Sequence, residues 1–329
     1  MILKSGRCIA IALTAMVSGF APTALAQDYP ERAIRLVVPQ AAGGMADMTG
    51  RFLANGITEA SMQPAVVENR PGGGTMIGSD VVARAEPDGY TLLLGTVSLT
   101  ILPAIDNNLP FDPVADLTPI SRLTEMPSVL LVHKSVPATT LKELVDYAKK
   151  NPGKLSYASQ GIGTTGHMAG ELFKQVAGID MTHVPYRGSA PAAQDLIAGH
   201  VQLLFDALPL AIGNLKNGNI RAIAIASPER SKALPDVPTT AEAGLPSVLI
   251  SAWFGLYAPA KTPDTIVNWL SEQAERTFNN PDVRKKLEGM GAMLPLTKPA
   301  DFKRYMSEDV ERWNKVAKAG KITIGNKPK

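Results

Sequence analysis

Two glycine-rich segments near the start of the chain have the residue types and the position of an anion-binding site. The first, residues 39–47, reads PQAAGGMAD and follows the apolar run Ile34–Val38; the second, residues 69–78, reads NRPGGGTMIG and follows residues 65–68. Glycine admits positive φ angles and lets a ligand approach the backbone closely. The first turn of a helix has unpaired N–H groups and carries partial positive charge. A glycine turn between a strand and a helix therefore predicts that main-chain amides capture an anion.

A third glycine segment lies later in the chain. Residues 161–166 read GIGTTG, a G-x-G-x-x-G between a predicted strand and a predicted helix, which is the pattern of dinucleotide-binding turns. A dinucleotide site also wants an acidic residue about 20 positions on, at the end of the next strand. Asp180 precedes that strand, residues 182–185, whereas Arg187 follows it and could meet a 2′-phosphate. The sequence favours a turn that binds a smaller anion and leaves a nucleotide site as the alternative.

The remaining reactive side chains offer little covalent or metal chemistry. The four histidines lie on separate predicted elements without the i,i+4 spacing of a helical metal pair, and no G-x-S-x-G nucleophile turn occurs. No pair of carboxylates is spaced persuasively for acid–base catalysis. His167 is kept as a candidate ligand contact because it opens a helix beside the third glycine segment. The sequence therefore predicts a protein that is not an enzyme, with no catalytic residue, no cofactor and no metal site.

Two carboxylates beside these turns each have two interpretations. Asp47 lies in the first turn of the helix after Gly43 and Gly44, where a carboxylate either caps the free N–H groups or contacts a ligand. Asp206 follows the predicted strand 201–205 and so lies at the carboxyl end of its sheet, where ligands bind in open α/β folds. A cap or a hinge hydrogen bond is equally consistent with Asp206. Both residues are kept as candidates.

The elements that must position these residues alternate between short apolar strands and helices along the chain. This alternation favours parallel sheets covered by helices. Residues 98–118, which contain three prolines, are predicted to be irregular. The strand at 253–259 is predicted to return to the first sheet. We therefore expect domain one at residues 27–124 and 249–329 and domain two at residues 125–248, joined by a hinge of two crossovers with a cleft facing it.

The first 26 residues have the layout of a secretory signal peptide. Lys4 and Arg7 precede the apolar run 8–20, and the small residues of Ala24-Leu25-Ala26 follow it. The apolar run is shorter than the roughly 20 residues that a membrane-spanning helix needs. We therefore expect cleavage after Ala26 and export from the cytoplasm. Cys8, the single cysteine of the chain, would leave with the signal.

The expected mature chain has almost balanced charge. Its 303 residues carry 31 basic and 30 acidic side chains, because only Lys4 and Arg7 are lost with the signal. Nucleic-acid binding normally requires a clustered basic face, so the balance gives no case for a nucleic-acid partner. No further apolar run approaches the length of a membrane span, which predicts no stable insertion into a membrane.

These segments, in this order, resemble the substrate-binding proteins of tripartite tricarboxylate transporters, the Bug family of periplasmic receptors. The resemblance runs from about residue 29 to residue 318. It implies an α/β, two-lobed periplasmic-binding-protein (Venus flytrap) fold, in which each lobe is a mostly parallel sheet flanked by helices. It also implies a monomer that binds a small organic carboxylate and delivers it to the membrane subunits of a transporter. The motifs that carry it are VPQAAGGMAD at 38–47, ENRPG at 68–72, PDGYTL at 87–92, PYRG at 185–188 and LPDVPT at 234–239.

The resemblance also implies where the carboxylate binds. In this family the turns at 40–44 and 72–76 hold one carboxylate, largely through main chain and bridging waters, and domain two adds the turn 159–165, the segment 186–189 and Asp206. The candidate ligand-binding residues are therefore Gln40, Ala42, Gly43, Gly44, Asp47, Gly74, Thr75, Met76, Thr96, Ser159, Gly161, Thr164, Thr165, His167, Tyr186, Arg187 and Asp206.

Two departures from the family pattern leave the ligand open. Gln40 stands where the family usually carries an aromatic residue, and Met76 stands where it usually carries a small polar one. Di- and tricarboxylates, acidic amino acids and aromatic acids all fit a site that grips one carboxylate. We expect the ligand to bind domain one first and hinge closure to follow, and we expect a β-branched residue at Gly43 to abolish binding. The alternatives are a sensor subunit that delivers its closed form to a signalling membrane protein and an exported enzyme that acts on a carboxylic acid.

Overall fold

The computed structural model of the protein describes residues 29–227, 229–320 and 322–323. The predicted signal peptide lies outside the described residues, so its cleavage after Ala26 stays a prediction. Within the described residues the strands are β1 (Ile34–Val38), β2 (Ala65–Asn69), β3 (Thr91–Thr96), β4 (Leu117–His133), β5 (Ser156–Ser159), β6 (Thr182–Pro185), β7 (Leu203–Ala207), β8 (Ile220–Ile225) and β9 (Ser251–Pro259). The α-helices are α1 (Met45–Ser61), α2 (Met76–Ala83), α3 (Ser98–Ile105), α4 (Leu141–Lys150), α5 (Thr165–Ala177), α6 (Ser189–Ala198), α7 (Leu208–Leu215), α8 (Asp264–Asn279), α9 (Pro281–Gly289) and α10 (Pro299–Gly320).

The strands join one mixed sheet in the order β2-β1-β3-β9-β4-β7-β5-β6, with β8 paired to β4 off this path. β1 runs parallel to β2 and β3, and β5 runs parallel to β6 and β7. The pairs around the middle of the sheet are antiparallel, since β9 pairs with β3 and β4, and β7 and β8 pair with β4. The predicted α/β periplasmic-binding-protein fold is confirmed, with parallel strands towards both ends of the sheet and antiparallel strands at its centre.

Strand β4 is long because it serves both halves of the sheet. Its residues 117–127 pair with β9, and its residues 128–133 pair with β7 and β8. We call the part built on β1–β3, β9 and the first half of β4 the first lobe, and the part built on β5–β8 and the second half of β4 the second lobe. Where the chain returns to β9, the Ile250 N–H donates to the Ala226 carbonyl (3.2 Å), and the Ser128 N–H donates to the Ile250 carbonyl (3.1 Å). Two neighbouring backbone segments therefore connect the lobes. The residue bounds expected for the two domains stay a prediction.

A buried polar cluster ties the end of the chain to the centre of the sheet. The Asp309 carboxylate, in α10, accepts hydrogen bonds from Thr100 Oγ1 (2.6 Å), Trp253 Nε1 (3.2 Å) and Trp313 Nε1 (3.2 Å). Trp253 is fully buried in β9, and Thr100 lies in α3. Because buried polar groups are costly unless they are paired, this cluster fixes α3 and β9 relative to α10.

Residues 98–118 are more regular than the sequence predicts. Ser98–Ile105 forms helix α3, with Pro103 inside it, and residue 117 begins β4. A proline in a helix interior costs about 3 kcal/mol because it removes one backbone hydrogen bond and crowds the preceding turn. Six of the eight residues of α3 are buried, and burying one large apolar side chain returns about 1.5–3 kcal/mol. The prediction is wrong here because tertiary packing outweighs the local preference.

Candidate functional site

A small polar chamber lies where the two lobes meet beside the middle of β4. Its volume is about 30 Å³, which is room for roughly one to three water molecules. The first lobe contributes the turn after β1 and the start of α3, and the second lobe contributes the turn before α5, the start of α6 and the end of β7. Its walls are formed by Gln40, Met45, Thr96, Val97, Ser98, Ser128, Gln160, Thr164, Thr165, Ser189, Phe205, Asp206, Ala207, Ala252, Trp253 and Phe254.

The chamber offers neutral hydrogen-bonding groups and one carboxyl group. All of its polar wall residues are buried, and they are serine, threonine and glutamine side chains apart from Asp206. No lysine or arginine is among the wall residues that the structure describes. A ligand in the chamber is therefore held by hydroxyls, amides and helix starts rather than by a cationic side chain.

Asp206, in β7, is only 1% exposed. Its Oδ1 accepts three hydrogen bonds, from Ser189 Oγ (2.9 Å), Gln160 Nε2 (3.2 Å) and the N–H of Ala207 (2.9 Å). Its Oδ2 is buried and has no hydrogen-bond partner among the described residues. Burial raises the pKa of Asp206 to about 6, although the three hydrogen bonds favour the charged form and act in the opposite direction. One oxygen of the Asp206 carboxyl group is therefore fully engaged, and the other is enclosed by the protein without a hydrogen bond among the described residues.

The first lobe brings hydroxyl groups to the same chamber. The Ser98 N–H donates to Thr96 Oγ1 (3.2 Å), which fixes the Thr96 side chain at the end of β3. Ser98 Oγ is buried without a partner in the part of the chain that the structure describes. Because α3 begins at Ser98, the positive end of its dipole lies at the chamber wall. The first lobe thus contributes buried hydroxyl groups and a helix start to the chamber wall.

An outer groove adjoins the chamber, and Gln160 lies in the walls of both. The groove has a volume of about 400 Å³. The glycine turn at 71–77 forms one side of it, and residues 160–162 and 185–187 of the second lobe form the other. Arg187 and Asp106 are the charged residues in its walls. The groove therefore offers more space, and the cation that the chamber lacks.

The glycine turns of the two lobes touch across the groove. A Cβ built on Gly74 would lie 1.9 Å from the carbonyl oxygen of Ile162, a distance that no real side chain tolerates. Nearby, the Ala41 N–H donates to the Arg187 carbonyl (3.2 Å) from one lobe to the other. These contacts show a closed arrangement of the lobes, and they explain the glycine at position 74 by close backbone approach.

The first glycine turn is arranged differently from the sequence expectation. The Gly43 N–H is not free, because it donates to Asp47 Oδ2 (3.2 Å). Arg51 completes the arrangement with two bonds of 3.0 Å to the same carboxylate. Burial alone would raise the pKa of Asp47, but the hydrogen bonds from Arg51, Gly43 and Asn69 outweigh it and lower the pKa. Asp47 therefore acts as an internal anion for this turn, and the expectation that the Gly43 amide is unpaired is wrong.

The third glycine turn is supported from behind by two histidines. His167 Nδ1 accepts the Gly163 N–H (3.2 Å), and Ser159 Oγ lies 2.6 Å from His183 Nε2. The two imidazole rings stack with 4.4 Å between their centroids. Burial lowers the pKa of His167 and lowers that of His183 to about 3, so both rings are neutral at pH 7. They shape the turn without forming a wall of the chamber or the groove.

The structure brings together most of the candidate ligand-binding residues, but not all. Contact of any of them with a ligand stays a prediction. Five lie in the chamber wall: Gln40, Thr96, Thr164, Thr165 and Asp206. Six lie in the groove wall: Gly74, Thr75, Met76, Gly161, Tyr186 and Arg187. Six lie in neither wall: Ala42, Gly43, Gly44, Asp47, Ser159 and His167.

Several chamber residues are absent from the sequence-based set. Ser98 and Gln160 are polar residues just after β3 and β5, and the rule that ligands bind at the carboxyl ends of parallel strands could have found them. Ser128 and Trp253 lie inside β4 and β9, where the local sequence reads as core. They reach the chamber only because the two halves of the sheet meet there.

The described residues were compared with the requirements of a metal site and of a membrane-spanning helix. Among residues 29–227, 229–320 and 322–323, no three His, Cys, Asp or Glu side chains come together as a metal site. None of the helices in these residues combines the length and apolar character of a membrane span.

The chain is similar to known proteins over most of its length. Residues 49–322 match the family described as tripartite tricarboxylate transporter family receptor. Protein BugT of Bordetella pertussis (strain Tohama I) is 33% identical over 302 residues, which cover 90% of this chain and 91% of BugT.

Two solved structures with bound carboxylates have a similar fold. One is R. palustris Rpa4515 with adipate, at 36% identity and a TM-score of 0.86, covering 90% of this chain and 99% of that one. The other is MatC from Rhodopseudomonas palustris with bound malate, at 35% identity and a TM-score of 0.84, covering 88% and 99%. The similarity in both cases extends over both lobes.

Proposed function

The chain belongs to the tripartite tricarboxylate transporter receptor family, and we propose that it is a periplasmic protein that captures a small organic carboxylate between its two lobes. In this proposal the loaded, closed form delivers the ligand to the membrane subunits of a tripartite transporter. The family membership confirms the resemblance read from the sequence motifs. It also confirms that the chain is not an enzyme, because the family and its structural neighbours are solute-binding receptors.

One observation carries the proposal of carboxylate capture. The chamber at the junction of the lobes is walled by hydroxyl and amide groups from both lobes, and the similar proteins Rpa4515 and MatC hold adipate and malate. A receptor must release its ligand, so a site of neutral donors suits it better than a tight pair with a buried cation. The absence of lysine and arginine from the described chamber wall agrees with this requirement.

The starts of two helices give the chamber its preference for a negative group. α3 begins at Ser98 in the first lobe and α5 begins at Thr165 in the second, and both residues line the chamber. The helix dipole favours an anion at each start, although the Ser98 N–H is paired with Thr96 Oγ1 and the Gly166 N–H with Gln160 Oε1. A hydrogen bond to a charged group contributes about 1.5–3 kcal/mol. A few such bonds account for much of the roughly 8 kcal/mol of a micromolar complex, less the cost of ordering.

Lobe closure supplies the second half of the site. In the proposed sequence the ligand carboxylate first meets Ser98 and Thr96 on the first lobe. Closure then brings Thr164 and Thr165 to its other side and places Gly74 against Ile162. Because the walls come from both lobes, a ligand that contacts both favours the closed arrangement.

The sharpest test of the chamber compares two serine-to-alanine variants. One removes an unpaired hydroxyl from the chamber wall, and the other removes an unpaired hydroxyl far from it in the sequence. Ser98→Ala removes a buried, unpartnered Oγ from the chamber wall, and Ser271→Ala removes a buried, unpartnered Oγ from α8. We expect Ser98→Ala to weaken the binding of malate or adipate, whichever binds, about tenfold or more, the effect of one hydrogen bond to a charge. Ser271→Ala should leave the Kd unchanged. Isothermal titration calorimetry measures both.

Two outcomes would contradict the proposal. If a thermal-shift screen of di- and tricarboxylates, acidic amino acids and aromatic acids gives no stabilisation, carboxylate capture is wrong; a ligand at 100 times its Kd should add about 2.7 kcal/mol. If both serine variants bind a carboxylate like the wild type, the ligand does not use Ser98.

Delivery to a transporter is tested separately from binding. A pull-down from membranes with the ligand-loaded protein should recover transporter subunits, and the unloaded protein should recover fewer. Recovery of a sensor kinase instead would favour the sensing alternative.

A further inference from the structure

The third glycine turn, residues 159–165, contacts the first lobe closely and contains little that is rigid. Gly161 and Gly163 have φ angles of 133° and 75°, and glycine loses more backbone freedom on folding than any other residue. A Cβ built on Gly163 would overlap the side chain of Leu102 in α3. The position of the turn therefore decides how far the lobes can close, and groups around the turn must fix it.

Hydrogen bonds inside the turn fix only part of it. The Gly161 N–H donates to Ser159 Oγ (3.2 Å), and Thr164 Oγ1 donates to the Gly161 carbonyl (2.6 Å). The Gly163 N–H instead donates to His167 Nδ1 (3.2 Å), which belongs to α5. The part of the turn that meets the first lobe therefore depends on a histidine.

His183, in β6, connects the start of the turn with this histidine. Its Nε2 lies 2.6 Å from Ser159 Oγ, and its ring stacks on His167 with 4.4 Å between the centroids. The His183 ring also stacks on Tyr157, its neighbour in the parallel pair of β5 and β6, with 4.8 Å between the centroids. His183 therefore fixes both the serine at the start of the turn and the ring that holds Gly163.

The hydrogen bond from Gly163 requires one form of the His167 ring. Nδ1 can accept an N–H only through a free lone pair, so the neutral ring carries its proton on Nε2. Burial lowers the pKa of both His167 and His183 and keeps the rings neutral. The charged side chains of α5 near the rings, Glu171 and Lys174, pair with each other at 3.0 Å.

We propose that His183 is a positioning residue for ligand binding, which together with His167 holds the third glycine turn where lobe closure requires it. The two histidines use different ring atoms, Nε2 of His183 and Nδ1 of His167. They act through the turn rather than on the ligand, because neither lies in the wall of the chamber or the groove. This inference rests on the proposed capture of a carboxylate between the lobes.

The first experiment replaces each histidine with asparagine and with glutamine. The amide of asparagine lies about as far from the backbone as Nδ1 of histidine, and the amide of glutamine about as far as Nε2, and both amides can donate and accept. His167→Asn and His183→Gln therefore keep a hydrogen-bonding group where the turn needs it, whereas His167→Gln and His183→Asn misplace it.

The expected result is a crossed pattern of affinities. The two variants with a misplaced amide should bind malate or adipate, whichever binds the wild type, about tenfold or more weakly, because a buried partner of the turn is left unpaired. The two variants with a correctly placed amide should bind within about threefold of the wild type. Isothermal titration calorimetry measures all four. A role in ring packing alone would make asparagine and glutamine equivalent at each position.

A matched control and a measurement on the unaltered protein complete the design. His200→Asn is the control, because His200 is a histidine of the same lobe that lies outside both walls, with its Nδ1 3.3 Å from Asp195 Oδ1. It should leave the Kd unchanged. NMR of the histidine side-chain nitrogens of the wild-type protein at pH 7 should show His167 as a neutral ring with its proton on Nε2.

The outcomes separate this inference from the proposed function. If asparagine and glutamine weaken binding equally at each position, or if none of the four variants binds more weakly, the inference is wrong, while capture of a carboxylate stands. A His167 ring that is charged at pH 7, or that carries its proton on Nδ1, overturns the inference even if the variants do not fold. If the wild type binds no acid at all, the proposed function itself fails and this inference fails with it.

Discussion

The first and second glycine turns have similar sequences and different environments. In the first, the Gly43 N–H donates to Asp47 within the same lobe, and neither residue lies in the wall of the chamber or the groove. In the second, Gly74 lies in the groove wall against Ile162 of the other lobe. Both glycines have positive φ angles, 86° and 63°. Glycine therefore has a different role in each turn. Gly43 donates its N–H to a carboxylate of the same lobe, whereas Gly74 allows the backbones of the two lobes to approach each other.

This difference shows that a glycine-rich turn after a strand has more than one physical cause. Its amides can face an anion, and the anion can be a side chain of the same turn, as Asp47 is here. Its missing Cβ can also make room for a neighbouring backbone, as at Gly74. Substitutions in the first turn should therefore change stability, and substitutions in the second should change closure and ligand affinity.

The largest expected effect belongs to Gly74→Ala. Its Cβ would overlap the Ile162 carbonyl oxygen at 1.9 Å, so the lobes cannot reach the closed arrangement. We expect a loss of affinity of 100-fold or more, equivalent to about 2.7 kcal/mol, together with a larger radius of gyration by small-angle X-ray scattering in the presence of ligand. Calorimetry with the ligand found for the wild type measures the affinity.

Gly178→Ala is the matched control for Gly74→Ala. Gly178 has almost the same φ angle, 62° against 63°, but nothing lies within 4 Å of its Cβ position. Both variants should lose about 1 kcal/mol of unfolding free energy from the left-handed backbone, while only Gly74→Ala should lose affinity. Wild-type binding by Gly74→Ala would mean that the loaded protein does not adopt this closed arrangement.

The carboxyl groups of Asp47 and Asp206 should make opposite contributions to the pH dependence of the unfolding free energy. The pKa of Asp47 is lowered in the folded protein, so its stabilisation is present above its ordinary pKa near 4 and is lost as the pH falls through the folded value. Asp47→Asn should thus cost about 1 kcal/mol of unfolding free energy at pH 7, and less in acid.

Asp206→Asn is the opposite case. The pKa of Asp206 is raised to about 6, so the wild type loses stability as the pH rises from about 4 through 6. The variant lacks this loss, and its unfolding free energy relative to the wild type should rise over that interval by up to roughly 3 kcal/mol. Urea unfolding from pH 3 to 8 measures both variants. If the unfolding free energies of the two variants, each relative to the wild type, change with pH in the same way, the two carboxyl groups do not differ in environment.

The smallest expected effect is that of Gly43→Ala. Its Cβ would meet only Ala190 Cβ, at 3.9 Å, so the substitution is limited by its φ angle rather than by space. We expect a loss of about 1 kcal/mol of unfolding free energy, with a ligand Kd within threefold of the wild type. This is a smaller effect than the loss of binding that the sequence alone predicts for a β-branched residue at this position. A loss of affinity as large as that of Gly74→Ala would restore a direct ligand role for the first turn.

Much of the fold could be predicted because its cause is local. Strands β1 and β6 occur at the residues that their apolar runs and flanking turns indicate, and helix α4 begins after Thr140, whose side chain and Glu143 form a capping box. Helix α3 could not be predicted this way, since its local sequence contains Pro103 and its stability comes from burial. The first half of β4 could not be predicted locally for a similar reason, because its partner β9 is more than a hundred residues away in the chain.

The sequence by itself determined the family, the α/β alternation and the segments that carry glycine turns, because these depend on residue types at short spacing. Only the tertiary structure decided which turn faces which group. Asp47 in α1 and Asp206 in β7 are both buried, yet one is paired with Gly43 and Arg51 while the other has an oxygen without a partner among the described residues. The physical reason is that hydrogen-bond partners and burial are set by chain segments that meet only when the two halves of the sheet come together at β4.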